Sequence, residues 1–147
     1  MIIFTNRTGT HAALSPLLKS CSRLRSLTLD ITFTFNDIYD EIIQRIMFLL
    51  LSSCPEQIQH VKIILRLRLS DTTSNDRIGG LFNWVFIERH LRRYTRLSCI
   101  ELAPTIFLNE PSHAVALKEQ TALQESILAA FSSEFRTRIK FVDVLLE

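Results

Sequence analysis

The sequence predicts an α/β domain that spans residues 1–147, with a parallel sheet on one face and helices on the other. Three observations predict this fold. Four short windows share one apolar spacing, the residues after the first two windows alternate between apolar and polar, and the segments between windows carry apolar residues at helical spacing. Strand, helix and next strand in this order imply parallel pairing with right-handed crossovers.

The repeated window carries apolar residues at its first, fourth and sixth positions. The four windows are Leu24/Leu27/Leu29, Ile58/Val61/Ile63, Leu97/Ile100/Leu102 and Ile139/Val142/Val144. The first two windows follow matching segments, Leu17-Leu18-Lys19-Ser20-Cys21 and Leu50-Leu51-Ser52-Ser53-Cys54. A partial window opens the chain, with Ile3 at its sixth position. This self-similarity indicates an internal repeat in which each window is a strand.

In the first two strands apolar and polar residues alternate, as in a sheet with one solvent-exposed face. After Leu24, apolar residues occupy every second position from Leu27 to Phe35, and polar residues lie between them. Alternation continues in the second strand from Val61 to Leu69, and only Ile64 breaks it. A period of two predicts half-buried strands whose polar side chains face solvent.

Three helices are expected between the windows. The first begins at Asn36, a good N-cap, and is stopped by Pro55. The second opens at Gly79-Gly80 and turns one apolar side inward, and the third runs from about Leu117 to Phe135. The inward residues of the second helix are Trp84, Ile87, Leu91 and Tyr94. The stretches Ser70–Arg77 and Pro104–Pro111 are expected to be loops.

Composition excludes several classes of function. A formal charge of +2 is far from the one-sided charge of a general nucleic-acid binder. The three cysteines, Cys21, Cys54 and Cys99, are widely spaced and predict neither disulfides nor a zinc knuckle. The start lacks a secretory pattern, and the longest other apolar run, Ile46–Leu51, is far shorter than the roughly 20 residues that span a bilayer. We expect an intracellular protein, cytoplasmic or nuclear, that binds neither nucleic acid nor membrane.

The spacing L-x-x-L-x-L after Leu-Leu-x-Ser-Cys resembles the cysteine-containing leucine-rich repeats of F-box proteins. It is most similar to the divergent repeat regions of F-box-like proteins from mushroom-forming fungi, and the likeness covers nearly the whole chain. Such repeats have Asn or Cys three residues after the sixth position, where this chain has Thr32, Arg66 and Thr105. The resemblance therefore implies a short, irregular leucine-rich-repeat-like solenoid. It also implies a non-catalytic module similar to the target-binding region of an F-box ubiquitin-ligase subunit, although no segment resembles the F-box itself.

Aligning the windows places solvent-facing residues in rows across the sheet. The third positions are Ser26, His60, Cys99 and Phe141, and the fifth positions are Thr28, Lys62, Glu101 and Asp143. With Asp30 and Ile64, these residues form the predicted partner-binding surface for a protein of unknown identity. Lys62 beside Glu101 predicts a cross-strand ion pair.

An enzymatic alternative rests on Cys99 and His60. Neighbouring strands lie about 4.7–4.9 Å apart, so these side chains can form a thiolate nucleophile and its base, as in a cysteine-dependent hydrolase or transferase. No third residue is expected to orient the imidazole, and no Gly-rich turn offers an oxyanion hole. The other histidines lack partners at i, i+4 spacing. The sequence therefore predicts no enzyme, no cofactor and no metal site.

Two further alternatives stay open at this point. The chain ends on the apolar segment Val144-Leu145-Leu146-Glu147, and an uncapped repeat end favours self-association. This ending is typical of a structural fragment without an activity of its own. On the second helix, Phe82 and Phe86 lie near Arg89 and Arg93, and such a mixed aromatic and basic face can bind nucleic acid or an acidic peptide.

Overall fold

The computed structural model describes residues 2–5, 11–34, 49–69, 83–108 and 113–142. The strands are β1 (Ile2–Thr5), β2 (Ser26–Thr34), β3 (His60–Leu69), β4 (Cys99–Leu108) and β5 (Ile139–Phe141). The helices are α1 (His11–Ser20), α2 (Trp84–Leu91), α3 (His113–Ala130) and α4 (Ser133–Arg136), and residues 49–53 are also helical. The predicted α/β class is confirmed.

All five strands are parallel and lie in the sheet in sequence order. The predicted register of the first three windows is confirmed, because Ser26 pairs with His60 and His60 pairs with Cys99. The partial window at the chain start is also a strand, but its register differs by one residue from the prediction. Phe4, and not Ile3, is the partner of Leu29.

The predicted alignment of the fourth window is wrong by three residues. Ile139 pairs with Ile100, and Phe141 pairs with Leu102, so the core-facing positions of β5 are Ile139 and Phe141. The cause lies in the preceding turn, where the Arg138 N–H donates to the Phe135 carbonyl at 2.9 Å. Phe135 is fixed in the core at 1% exposure, so the chain enters the sheet directly after this turn.

The expectation of a loop from Pro104 is also wrong, because β4 continues to Leu108. Successive residues of a parallel strand form backbone hydrogen bonds alternately to the strand on one side and to the strand on the other. The Ile100 N–H donates on the β5 side, to the Arg138 carbonyl at 3.0 Å. Pro104 belongs to the same alternate set as Ile100 and therefore faces that side. Among the described residues the register of β5 with β4 ends at Leu102, so Pro104 lies beyond the described ladder on that side.

One hydrophobic cluster joins the helices to one face of the sheet. The strands contribute Leu27, Leu29, Ile31, Val61, Ile63, Leu65, Ile100 and Leu102, the helices contribute Leu18, Leu50, Leu51, Trp84, Ile87, Leu91, Leu123 and Ile127, and Phe131 joins the cluster from the break that follows α3. Leu18 and Leu51, which match in the repeated segment, are both buried. Cys54 lies inside the cluster and Cys21 packs against it, as expected for small apolar side chains.

The helices begin and end at identifiable contacts. Helix α2 starts after Asn83, whose Oδ1 accepts a hydrogen bond from the Phe86 N–H at 3.2 Å. The single helix expected from Leu117 to Phe135 is two helices, with a break at residues 131 and 132. At this break the Ser132 N–H donates to Glu88 Oε1 of α2 at 3.2 Å. The residues expected to start the first two helices, Asn36 and Gly79-Gly80, lie outside the described residues.

Candidate functional site

The sheet face opposite the core carries most of the predicted binding residues. Six of them are half-buried, namely Ser26, Asp30, His60, Lys62, Cys99 and Glu101. These six residues are called the open sheet face below. They are brought together by the parallel register, which aligns Ser26, His60 and Cys99 in one row.

Four predicted binding residues need correction or lie elsewhere. Phe141 is not on the open sheet face, because it pairs with Leu102 and packs against the core. Thr28 and Ile64 are 8% and 9% exposed, so they offer little surface to a partner. Each of these two residues has a register partner on both adjacent strands. Asp143 lies outside the described residues.

Three chemically reactive side chains meet on the open sheet face. His60 Nε2 lies 3.2 Å from Glu101 Oε2. Cys99 is the register partner of His60, and the sulfur, imidazole and carboxylate ligand atoms of the three residues lie within 4.8 Å of one another. All three side chains are half-buried, so the group borders solvent.

A lysine of the neighbouring strand lies near the Glu101 carboxylate. Lys62 Nζ lies 4.0 Å from Glu101 Oε2, which confirms the predicted cross-strand ion pair. On the β5 side of β4, Glu101 is the register partner of Lys140, and not of Asp143 as the alignment of windows predicts. Both side chains of the Lys62 pair are about one quarter to one third exposed, so solvent screens their attraction.

The expectation that no residue orients His60 is wrong, because Glu101 contacts its imidazole. His60 holds the third position of one window and Glu101 the fifth position of the next, so the two are diagonal neighbours. Long side chains reach across such diagonals, and a comparison of diagonals as well as rows would have found the pair. The described residues show no hydrogen bond between the Cys99 thiol and His60, although ligand atoms of the two residues lie within 4.8 Å of each other.

A bidentate ion pair lies beside this group on the same face. Arg66 Nε and Nη2 donate to Asp30 Oδ1 and Oδ2 at 2.9 and 3.1 Å. The hydrogen bond to Asp30 raises the pKa of Arg66 above its ordinary value. The pair therefore joins β2 to β3 through their side chains.

The aromatic and basic face expected on α2 is present only in part. The Arg89 guanidinium lies 5.0 Å from the centre of the Phe86 ring, and Phe86 is 42% exposed. Arg93 instead donates to the Ser52 carbonyl at 3.0 Å, which ties α2 to the helical residues 49–53. Phe82 lies outside the described residues.

No protein-family profile, curated protein or solved structure matches the chain. Within the described ranges, every helix is too short or too polar to cross a bilayer.

Proposed function

We propose that this chain is a non-catalytic recognition module that binds a protein partner through the open sheet face. The observation that carries the proposal is the strand order β1-β2-β3-β4-β5 with all pairs parallel. Right-handed crossovers in a sheet that never reverses its order send the connecting helices to one side. A polar sheet face opposite the core then becomes available to a partner.

The chemistry of the open sheet face favours a protein partner over a polyanion. The face presents both signs of charge, with Asp30, Glu101 and Lys62, and Arg66 borders it through its ion pair with Asp30. Mixed charge of this kind selects a partner by complementary pairing and gives no general affinity for phosphate backbones. The partner we propose is therefore a protein surface of alternating charge.

The finer form of the proposal follows the resemblance described above. We propose that the fold is a short, irregular leucine-rich-repeat-like solenoid and that the protein is intracellular. Its role would be substrate recognition in an F-box type ubiquitin ligase. The support is the repeated spacing, the sequential parallel sheet and the equivalent burial of Leu18 and Leu51.

The test compares charge reversal at two lysines, one on the open sheet face and one on a helix away from it. Lys62→Glu lies on the open sheet face, and Lys19→Glu, at an exposed position of α1, is its matched control. We expect cross-linking in cells to recover the same partner with wild type and Lys19→Glu, and at least about tenfold less with Lys62→Glu. Both variants should keep their stability within about 1 kcal/mol. Equal recovery by Lys62→Glu and wild type would overturn the proposal.

One observation favours a second candidate, the cysteine-dependent hydrolase or transferase. The contact of 3.2 Å between His60 Nε2 and Glu101 Oε2 supplies an orienting group for the base. This candidate requires Cys99 to react with iodoacetamide faster than a free thiol at neutral pH, and to slow when Glu101 is changed to Gln. Cys21, also half-buried and free, is the internal control. A Cys99 rate no faster than that of a free thiol would reject this candidate.

A further inference from the structure

We propose that His60, Cys99 and Glu101 form a binding site for a divalent transition-metal ion of the zinc class. The ligand atoms would be His60 Nε2, Cys99 Sγ and one carboxylate oxygen of Glu101. One ligand atom of each residue lies within 4.8 Å of the other two in the described part of the chain, and His60 Nε2 is the atom that contacts Glu101. The three ligands are part of the open sheet face, but metal binding is measured without a partner and does not rest on partner recognition.

The spacing of the ligand atoms suits tetrahedral coordination after small side-chain rotations. Bond lengths of about 2.0–2.3 Å place the ligand atoms of tetrahedral zinc roughly 3.3–3.8 Å apart. The His60 to Glu101 distance of 3.2 Å is already close to this value, and no ligand pair exceeds 4.8 Å. Contraction by about 1 Å is a rotation of side chains and leaves the strands in place.

The backbone holds the three ligands on two hydrogen-bonded strands. His60 and Cys99 are register partners at the starts of β3 and β4, and Glu101 lies two residues further along β4 on the same face. The Cys99 N–H donates to the Gln59 carbonyl at 3.4 Å and the Ser98 N–H donates to it at 3.0 Å, which fixes the entry to β4. Ligands on paired strands lose little freedom when a metal binds.

The set of donors selects the metal. Thiolate, imidazole and carboxylate together favour zinc and related ions, whereas calcium and magnesium prefer oxygen ligands alone. On binding, the Cys99 thiol gives its proton to solvent and the imidazole binds through Nε2 with its proton on Nδ1. Three protein ligands leave a fourth position open, and the half-buried face supplies water to it.

One lysine opposes the metal and offers a diagnostic variant. Lys62 Nζ lies 4.0 Å from Glu101 Oε2. Its ammonium group competes with a cation for the carboxylate, so the site binds metal less tightly than an uncharged surrounding would allow. Removal of the Lys62 charge should therefore tighten binding by about three- to tenfold.

The experiment titrates the full chain with Co²⁺ alone, under reducing conditions and without air. We expect a near-ultraviolet thiolate-to-cobalt absorption band that Zn²⁺ displaces, because zinc binds such sites more tightly. Cys99→Ser should abolish the band, and His60→Gln and Glu101→Gln should each weaken binding by at least about tenfold. Cys21→Ser is the matched control, since Cys21 packs against the core and should leave the band unchanged.

Each outcome decides the proposal. A band that survives Cys99→Ser, or a loss that Cys21→Ser shares, would overturn it, as would the absence of any band in wild type. Lys62→Gln keeps the test decisive if a ligand variant fails to fold, because tighter Co²⁺ binding supports the site and unchanged binding contradicts it. The partner experiment with Lys62→Glu measures recovery of a protein, so failure of one proposal leaves the other standing.

Discussion

Alkaline pH should weaken the fold through the buried pair formed by Cys54 and Tyr94. Cys54 is 3% exposed, and burial raises the pKa of its thiol from 9.0 to about 11, although Tyr94 and Arg93 partly oppose the shift. Burial also raises the pKa of Tyr94, and the neighbouring Cys54 raises it further. The Tyr94 hydroxyl donates to the Leu51 carbonyl, so ionisation would break a contact inside the core.

The sign and size of the effect follow from the two pKa values of the thiol. A group whose pKa is higher in the folded chain favours folding below the unfolded value of 9.0, and this contribution is lost as pH rises toward about 11. Between about pH 8 and pH 10.5, a difference of this size removes roughly 1.8 kcal/mol from the free energy of unfolding. Tyr94 acts in the same direction and adds to the loss.

The assay is urea unfolding at a series of pH values under reducing conditions, followed by fluorescence of the single tryptophan. Trp84 is 3% exposed and reports directly on the core. Cys54→Ala should remove about 1.8 kcal/mol of the fall in stability between the two pH values, even though the variant is less stable overall. Cys99→Ala is the matched control, because Cys99 is not among the groups that shift the Cys54 pKa, and it should leave the fall as in wild type. An equal fall in wild type and Cys54→Ala would refute the reasoning.

Two further predictions concern contacts in the core, and thermal or urea unfolding measures both. Glu88→Ala should cost about 1.5–3 kcal/mol, because the Ser132 N–H loses a charged acceptor at 3.2 Å, whereas the control Glu134→Ala, with a side chain 59% exposed, should cost less than about 1 kcal/mol. A cost for Glu88→Ala no larger than that of its control would contradict this role. Ile63→Ala should cost about 2–5 kcal/mol, since Ile63 is fully buried in the central strand, and Val85→Ala, at 56% exposure, should stay within about 0.5 kcal/mol. Similar losses in these two variants would show that Ile63 is not a core residue.

The apolar spacing was sufficient to predict the centre of the sheet. Windows one to three predicted β2, β3 and β4 with the correct register, because a buried face tolerates no slip of a single residue. At β5 two apolar alternations overlap, Ile139/Phe141 and Val142/Val144, and the spacing alone does not choose between them. The choice is made by Phe135, whose burial sets where the chain enters the sheet.

The sequence predicted which residues of the candidate site are register partners on neighbouring strands, but it did not predict the contact between residues at diagonal positions. Alignment of windows placed His60 beside Cys99 and Lys62 beside Glu101, and both pairs are register partners. The contact between His60 and Glu101 depends on side-chain length and direction, which a comparison of equivalent positions does not contain. The expectation of no metal site rested on the spacing of histidines along helices, whereas the three side chains of the proposed site come from two different strands.

The order of the strands also determines how the chain comes apart. Central β3 has ten residues and is hydrogen-bonded along both flanks, whereas β1 and β5 have four and three residues and, in the described part of the chain, one flank each. Each strand in such a sheet is hydrogen-bonded only to its immediate neighbours. The free energy of local unfolding therefore decreases from the central strand to the edge strands. His60, Cys99 and Glu101 lie on β3 and β4, so they belong to the part of the sheet where we expect local unfolding to be rarest.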